Sequence, residues 1–379
     1  MTTEDYRIWV EQACPEEIHG RALSYGGGTK HRMPGEAFKR WFDACVERGF
    51  TVPEWPVAYG GAGLDRSCAD ALADAMRVVG APRPLFGLGI SMFGSTLLEY
   101  GTEDQKLRYL PRTSRGEVAW CQGYSEPGAG SDLAALRTRA DDHGDHYLVN
   151  GSKIWTSNAH MSDWIFCLVR TDQDAPKQRG ISFLLFSLDA VGVTVRNFDL
   201  INGRSDFCEV FFDNVKVPKN DLVGRENDGW TIAKRLLQHE RNSVSKGEFL
   251  PRGGSLPAVL KQYADNNPAD RDNVLRIEID DAAFQLTKVR AVEESKEGGS
   301  GTFATSTFKL LSSEIESRKL EATVAMMGSQ GLGWSGGAFN DVELSSTRKW
   351  LLSKGFLIAG GSSEVQRNIV AKRVLGLPD

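Results

Sequence analysis

The chain has 379 residues, 45 basic against 50 acidic side chains, and a formal net charge of −5. Such a length suffices for two or three domains that bury about 75% of the unfolded surface, and the balanced charge leaves no footprint for nucleic acid or another polyanion. No apolar run approaches the roughly 20 residues that span a bilayer, and the N-terminus has early acids and no apolar h-region, so a soluble, cytoplasmic protein is expected.

Residues 1–115 read mainly as helices. The stretch 37–48 carries Phe38, Trp41, Phe42 and Cys45 at helical spacing, and 69–79 is a second amphipathic run. Pro53, Pro56 and Gly60-Gly61-Ala62-Gly63 break the helices between them. The stretch 87–100 is apolar almost throughout and predicts a buried helix whose opening glycines serve tight packing.

From 117 to 223 the period changes to that of strands. Runs at 145–149, 153–157, 164–171, 181–186, 193–198 and 207–212 are rich in β-branched or aromatic residues and separated by Gly, Asp and Asn. This is the pattern of an antiparallel sandwich or barrel, with Asn150-Gly151 as a hairpin turn. After Gly229 helical periodicity returns at 230–247, 273–296, 303–327 and 364–375, amphipathic segments that argue for a bundle. Gly298 to Gly301 connects two of them, and 247–272 is rich in Gly, Pro, Asn and Asp. The one GxGxxG match, Gly331-Leu332-Gly333-Trp334-Ser335-Gly336, follows a helical segment rather than a strand, so it reads as a helix-connecting loop. The six cysteines (Cys14, Cys45, Cys68, Cys121, Cys167, Cys208) stand singly, and the histidines do not cluster beside them. Neither a metal site nor a disulfide framework is expected; the thiols should be buried or half-buried.

Chemistry concentrates between 122 and 158. Gln122-Gly123-Tyr124-Ser125-Glu126-Pro127-Gly128-Ala129-Gly130-Ser131-Asp132 is a loop of small residues interleaved with hydroxyls and carboxylates. Its glycines let backbone N–H groups approach a ligand closely. Asn150-Gly151-Ser152-Lys153-Ile154-Trp155-Thr156-Ser157-Asn158 then presents an indole beside two hydroxyls, which suits a flat heteroaromatic ring with polar edges. On the residues alone, a Gly-rich turn beside a core Trp remains open.

These two segments resemble the flavin-binding signature of the acyl-CoA dehydrogenases. Leu97 to Lys106 with Tyr109-Leu110-Pro111 is similar to that family's N-terminal helical region, Phe211 to Pro218 to the end of its β domain, and Gly361 to Arg367 to its C-terminal helix. The resemblance implies an α+β multidomain fold: N-terminal helices (1–116), a central antiparallel β-barrel or sandwich (117–225) and a C-terminal four-helix bundle (226–379). It implies FAD as cofactor, with contacts from Gln122, Tyr124, Ser125, Gly130, Ser131, Trp155, Thr156 and Ser157, and from Ser362 and Glu364 at the adenosine half. Ser131 and Arg241 would also meet the CoA substrate.

The base departs from the family's commonest pattern. Many members carry it as the Glu of a Tyr-Glu-Gly-Thr segment, which here reads Ala359-Gly360-Gly361-Ser362. A minority branch places it on the first helix of the C-terminal domain, and the acid matching that position is Glu240. Helix geometry agrees independently, because Ile232, Ala233, Leu236, Leu237 and Val244 form an apolar stripe on which Glu240 falls. Desolvation there would raise its pKa toward neutrality, which suits abstraction of a weakly acidic carbon proton; a structural ion pair is the competing role.

The implied reaction is α,β-dehydrogenation of an acyl-CoA to a trans-2-enoyl-CoA, Glu240 taking the α-proton while hydride passes to the flavin. Electron-transferring flavoprotein is the implied electron acceptor, and the implied assembly is a homotetramer or an α2β2 heterotetramer. The Arg-x-x-Phe-Gly segment of many members has no counterpart in 247–272. The Gln-x-x-Gly-Gly-x-Gly segment survives in part as Ala325-Met326-Met327-Gly328-Ser329-Gln330-Gly331. Both departures resemble bacterial enzymes of steroid or bulky side-chain catabolism. A non-catalytic partner subunit, or an oxidase or nitroalkane-oxidase-like flavoenzyme, stands as the alternative.

Overall fold

A computed structural model describes residues 2–245, 253–265, 267–296 and 302–378. They form two compact units, one of residues 1–198 and 206–240, the other of residues 199–205 and 241–379.

The first unit opens with α1 (Thr3–Ala13), α2 (Glu36–Glu47), α3 (Arg66–Val79), α4 (Gly94–Tyr100) and α5 (Glu103–Ser114). Side chains fix where they start. Thr2 and Asp5 form a capping box on α1, and Thr102 and Gln105 form one on α5, each satisfying N–H groups that a helix start leaves orphaned. Phe38, Trp41, Phe42 and Cys45 are all buried, as their spacing predicts. The apolar stretch before α4 is a π-turn, Gly89–Phe93. Of the two glycines that open the 87–100 stretch only Gly89 serves tight packing, since a Cβ there would lie 2.8 Å from the Trp120 ring. Gly87 instead takes a φ of 130° and has only a 3.7 Å contact, while farther on a Cβ at Gly94 would overlap the Trp55 ring.

The sheet contains β1 (Trp120–Gly123), β2 (Arg139–Asp142), β3 (His146–Ser157), β4 (Trp164–Arg170), β5 (Ile181–Ser187), β6 (Val193–Phe198), β7 (Phe207–Pro218) and β8 (Leu222–Val223). Their order is β6-β7-β3-β2-β4-β5-β8, with β1 paired to β4. The expected β domain is present, but its sheet is mixed and open rather than closed into a barrel. The β1–β4 pairing is parallel, made possible by the long excursion between those strands. Asn150-Gly151 is not a hairpin turn. β3 runs through it with a bulge opposite β7, and the Asn150 carboxamide exchanges hydrogen bonds with Asn214 across the ladder. α6 (Gly229–Ser245) follows the sheet. Its Ile232, Ala233 and Leu236 are buried in one core with Phe93, Trp120, Tyr124, Phe166 and Phe183.

The second unit holds α7 (Leu256–Tyr263), α8 (Pro268–Lys296), α9 (Thr302–Met327), α10 (Asp341–Phe356) and α11 (Ser363–Ile369). α7 and α10 extend the expected set of helices. The GxGxxG stretch is the connection from α9 to α10, as its helical context predicts; Gly298 to Gly301 lies outside the described residues. α8 departs from simple amphipathicity. Val274, Ile277, Phe284 and Ala291 are buried, whereas Leu275, Ile279, Leu286 and Val289 are exposed, at 55%, 66%, 70% and 54%. Among the described residues no helix is long and apolar enough to cross a membrane. Cys14, Cys45, Cys121, Cys167 and Cys208 are buried and Cys68 half-buried, all as free thiols.

Candidate functional site

The two chemistry-bearing segments meet in the first unit. β1 ends at Gly123, where a Cβ would come within 2.6 Å of Ile165. The chain then turns tightly at Pro127-Gly128, closed by reciprocal 3.0 Å backbone bonds between Glu126 and Ala129. Ile154 of β3 donates its N–H to the Ser125 carbonyl at 2.9 Å, which sets the two segments side by side.

A buried ion pair locks that junction. Lys153 is fully buried, and its ammonium donates to Glu126 Oε1 at 2.8 Å and to the Tyr124 carbonyl at 3.1 Å. Glu126 also accepts the backbone N–H groups of Arg137 (2.7 Å) and Thr138 (2.9 Å). Burial acts to raise the Glu126 carboxyl, yet Lys153 and these donors together hold it below its ordinary value. A buried charge pair persists only when its remaining hydrogen-bonding capacity is met, and here it is. Farther along the loop, Asp132 accepts from Lys177 at 2.8 Å. Arg170 donates to the Leu136 and Ala134 carbonyls at 3.0 and 2.7 Å, fixing the turn at Leu133–Ala135.

Trp155 stands at a second bulge of β3 with φ 60°, and 53% of it is exposed. Phe198 and Phe207 meet its indole edge-on, at 5.2 and 5.9 Å. Thr156 is fully buried and its hydroxyl has no protein partner, whereas Ser157 is half-buried. Gln122 and Ser125 are half-buried, Tyr124 is buried, and Gly130 and Ser131 are exposed. A Cβ at Gly128 or Gly130 would meet no atom within 4 Å. An open Gly-rich turn and a presented indole beside the half-buried Ser157 hydroxyl fit a flat, polar-edged ring system.

The remaining expected site residues lie elsewhere. Glu240 and Arg241 belong to α6, but their side chains, like that of Val244, lie outside the described residues. The stripe leading to Glu240 is buried at Ile232, Ala233 and Leu236 and half-buried at Leu237. Ser362 and Glu364 are in the second unit. Ser362 caps α11 by accepting the Val365 N–H at 3.4 Å, and Glu364 is exposed, its carboxyl lowered by its own backbone N–H and the Ser362 hydroxyl. Sequence reasoning gave no role to Lys153 and Glu126, although both stand inside the quoted segments. It also overlooked α10, whose Asn340-x-x-Glu343 capping box was the available signal.

Family models for the acyl-CoA dehydrogenase N-terminal, middle and C-terminal domains match residues 2–117, 121–215 and 227–375. The chain is 34% identical to the acyl-CoA dehydrogenase IpdE1 of Mycobacterium tuberculosis, over 99% of this chain and 98% of the relative. Among solved structures it is similar to the Tcur3481-Tcur3483 steroid ACAD (TM-score 0.76, 27% identity, 99% of this chain and 96% of that one). It is also similar to the ChsE4-ChsE5 complex of Mycobacterium tuberculosis (TM-score 0.74, 27% identity, 100% and 97%).

Proposed function

The chain belongs to the acyl-CoA dehydrogenase family, and on that footing we propose that it dehydrogenates the α,β bond of an acyl-CoA, using FAD, on a bulky, steroid side-chain-like acyl group. The family is one of oxidoreductases, generally flavin-dependent. The observation that carries the reading is the junction of residues 122–132 with Trp155, Thr156 and Ser157, locked by Lys153 and Glu126. Trp155 would flank the ring, with the Ser157 and Ser125 hydroxyls toward its N5 and pyrimidine edges. Gln122, Tyr124, Gly130, Ser131 and Thr156 would complete the contacts, and Ser362 and Glu364 would take the adenosine half. When bound, FAD supplies the hydride acceptor.

The chain's own chemical contribution is a base. Glu240 would remove the α-proton, and the buried stripe below it on α6 supports a desolvated, more basic carboxylate. Ser131 and Arg241 would orient the CoA moiety. Domain limits at 1–116, 117–225 and 226–379 and a cytoplasmic site of action belong to the same reading, as does electron-transferring flavoprotein as the acceptor. The test is an anaerobic titration of the purified protein with a panel of acyl-CoAs. Flavin absorption should be present and should bleach with a bulky substrate; a properly assembled, flavin-free protein would sink the assignment.

Assembly is proposed as a homotetramer or an α2β2 complex. The exposed apolar row Leu275, Ile279, Leu286 and Val289 on α8 supports it, because such a face on a helix usually meets a partner. Light scattering that finds a stable, active monomer would contradict it. Similarity to structures named as pairs of chains favours one second reading, a non-catalytic subunit of a heteromeric dehydrogenase. Co-expression with a neighbouring homologue separates the two: under that reading, all FAD and activity would follow the other chain.

A further inference from the structure

The turn joining α10 to α11 is built around a buried cation. Lys309 of α9 is only 9% exposed, and its ammonium donates to the carbonyls of Gly361 (2.6 Å) and Leu357 (3.4 Å). Burial lowers its pKa below the ordinary lysine value, against the pull of Glu314 and Glu364. On the same turn Gln366, also buried, donates to the Gly360 carbonyl at 2.9 Å. Glu314 then accepts from Ser363 at 3.0 Å and from Arg367 at 3.1 Å. Three successive features follow. The carbonyls of Leu357, Gly360 and Gly361 are drawn inward by side chains; Ser363 and Arg367 are pinned to α9; and Ser362, whose hydroxyl accepts the Val365 N–H at 3.4 Å, lies between these ties.

An apolar side chain at 309 would fill the space without the cost of desolvating an ammonium. What the lysine adds is directional: a short charge-assisted bond to the Gly361 carbonyl and a longer contact to that of Leu357, both from one donor. We propose that Lys309 is a positioning residue for the adenosine half of the cofactor, holding the 357–362 turn so that Ser362 and Glu364 are presented in one geometry. The inference rests on the FAD reading above and extends it to a residue whose ammonium bonds to the turn rather than to any group assigned to the cofactor.

The test uses the full chain, with its partner chain if one is required, stripped of flavin and titrated with FAD and with FMN, which lacks the adenosine. Lys309→Met should weaken FAD binding by at least about tenfold while FMN affinity changes little and the flavin-free unfolding midpoint does not fall. Lys309→Arg, which keeps the charge and the donors, should recover most of the loss, and serves as the readable variant if Lys309→Met fails to fold. Ser362→Ala should add little in the Lys309→Met background, because residues acting through one another are non-additive. Unchanged FAD affinity, a parallel fall for FMN, or full additivity with Ser362→Ala overturns the inference. A wild-type protein that takes up no FAD overturns the underlying reading instead, and the inference with it.

Discussion

Two of the left-handed backbone positions among the described residues are held by opposite kinds of residue. At the bulge of β3 it is Trp155, with φ 60°; in the turn before α11 it is Gly360, with φ 68°. Glycine takes such angles freely, so the second turn stores no strain. A bulky residue there is an outlier that costs of order 1–3 kcal/mol and persists only where the surroundings over-determine it. The surroundings differ accordingly. Behind Trp155 lies a buried Lys153–Glu126 pair with its donors and acceptors met, and two phenylalanines stand at the ring edge. Behind Gly360 lies Lys309, a buried ammonium bonded to uncharged carbonyls. The sheet junction therefore spends stability to present a particular side chain, whereas the helical turn presents backbone and leaves no carboxylate at 360.

The largest expected effect tests where the base went. If it is on α6 and not in the glycine turn, Glu240→Gln should retain FAD and fold but slow flavin reduction by substrate by about 10²–10⁴-fold. Glu364→Gln, the nearest acid to the glycine turn, should reduce at a nearly normal rate. Stopped-flow reduction of both variants decides it: normal reduction in Glu240→Gln moves the base elsewhere.

Next in size is the ion pair. Lys153→Met strands the Glu126 carboxylate and should cost about 3–5 kcal/mol, whereas Lys153→Met with Glu126→Leu should recover much of the loss, because an apolar pair is tolerated where a lone charge is not. Chemical denaturation measures both. A double variant no more stable than Lys153→Met would mean that the amides of Arg137 and Thr138, not the charges, dominate the junction.

The same pair predicts an acid limb. Glu126 is lowered from an ordinary value of 4.5. Its stabilising contribution is complete above that value and lost as pH falls through the lower folded value, since the unfolded chain binds the proton first. Lys309 runs the other way. Lowered from 10.5, it disfavours folding while charged, and stability should rise as pH climbs through its folded value toward 10.5. Thermal midpoints against pH should show Glu126→Gln flattening the acid slope and Lys309→Met the alkaline one. Unchanged slopes in both variants would remove the electrostatic distinction between the two regions.

This contrast also explains what the sequence made legible. The flavin-like segments could be read because a presented indole, open glycines and hydroxyls are local properties of consecutive residues. Helical spacing likewise gave Phe38, Trp41, Phe42 and Cys45 as core, and placed the GxGxxG stretch between helices. Asn150-Gly151 misled because the same dipeptide serves a hairpin turn and a bulge, and only the Asn214 side chain across the ladder decides between them. The parallel partner of β1 was hidden because pairing across a long excursion has no local signature. Lys309 was illegible for a similar reason. Its acceptors lie about 50 residues away, in accord with separations of 48 and 52, and no helical periodicity marks a lysine as buried.

The smallest effect separates strain from contact at Trp155. Trp155→Ala and Trp155→Gly both remove the indole, so both should weaken flavin retention by about 0.5–1.5 kcal/mol beyond the lost burial, the worth of an aromatic pairing. They differ in the backbone. Alanine at φ 60° keeps the left-handed cost, while glycine relieves roughly 1–2 kcal/mol of it, partly offset by glycine's greater freedom in the unfolded chain. In flavin-free protein, Trp155→Gly should therefore melt above Trp155→Ala, a reversal of the usual order in a strand. Calorimetry of the two variants without flavin reads the difference directly. An alanine variant that is equally or more stable would mean that the bulge relaxes once the ring is gone, and that the left-handed backbone is a consequence of packing the indole rather than a constraint that holds it out.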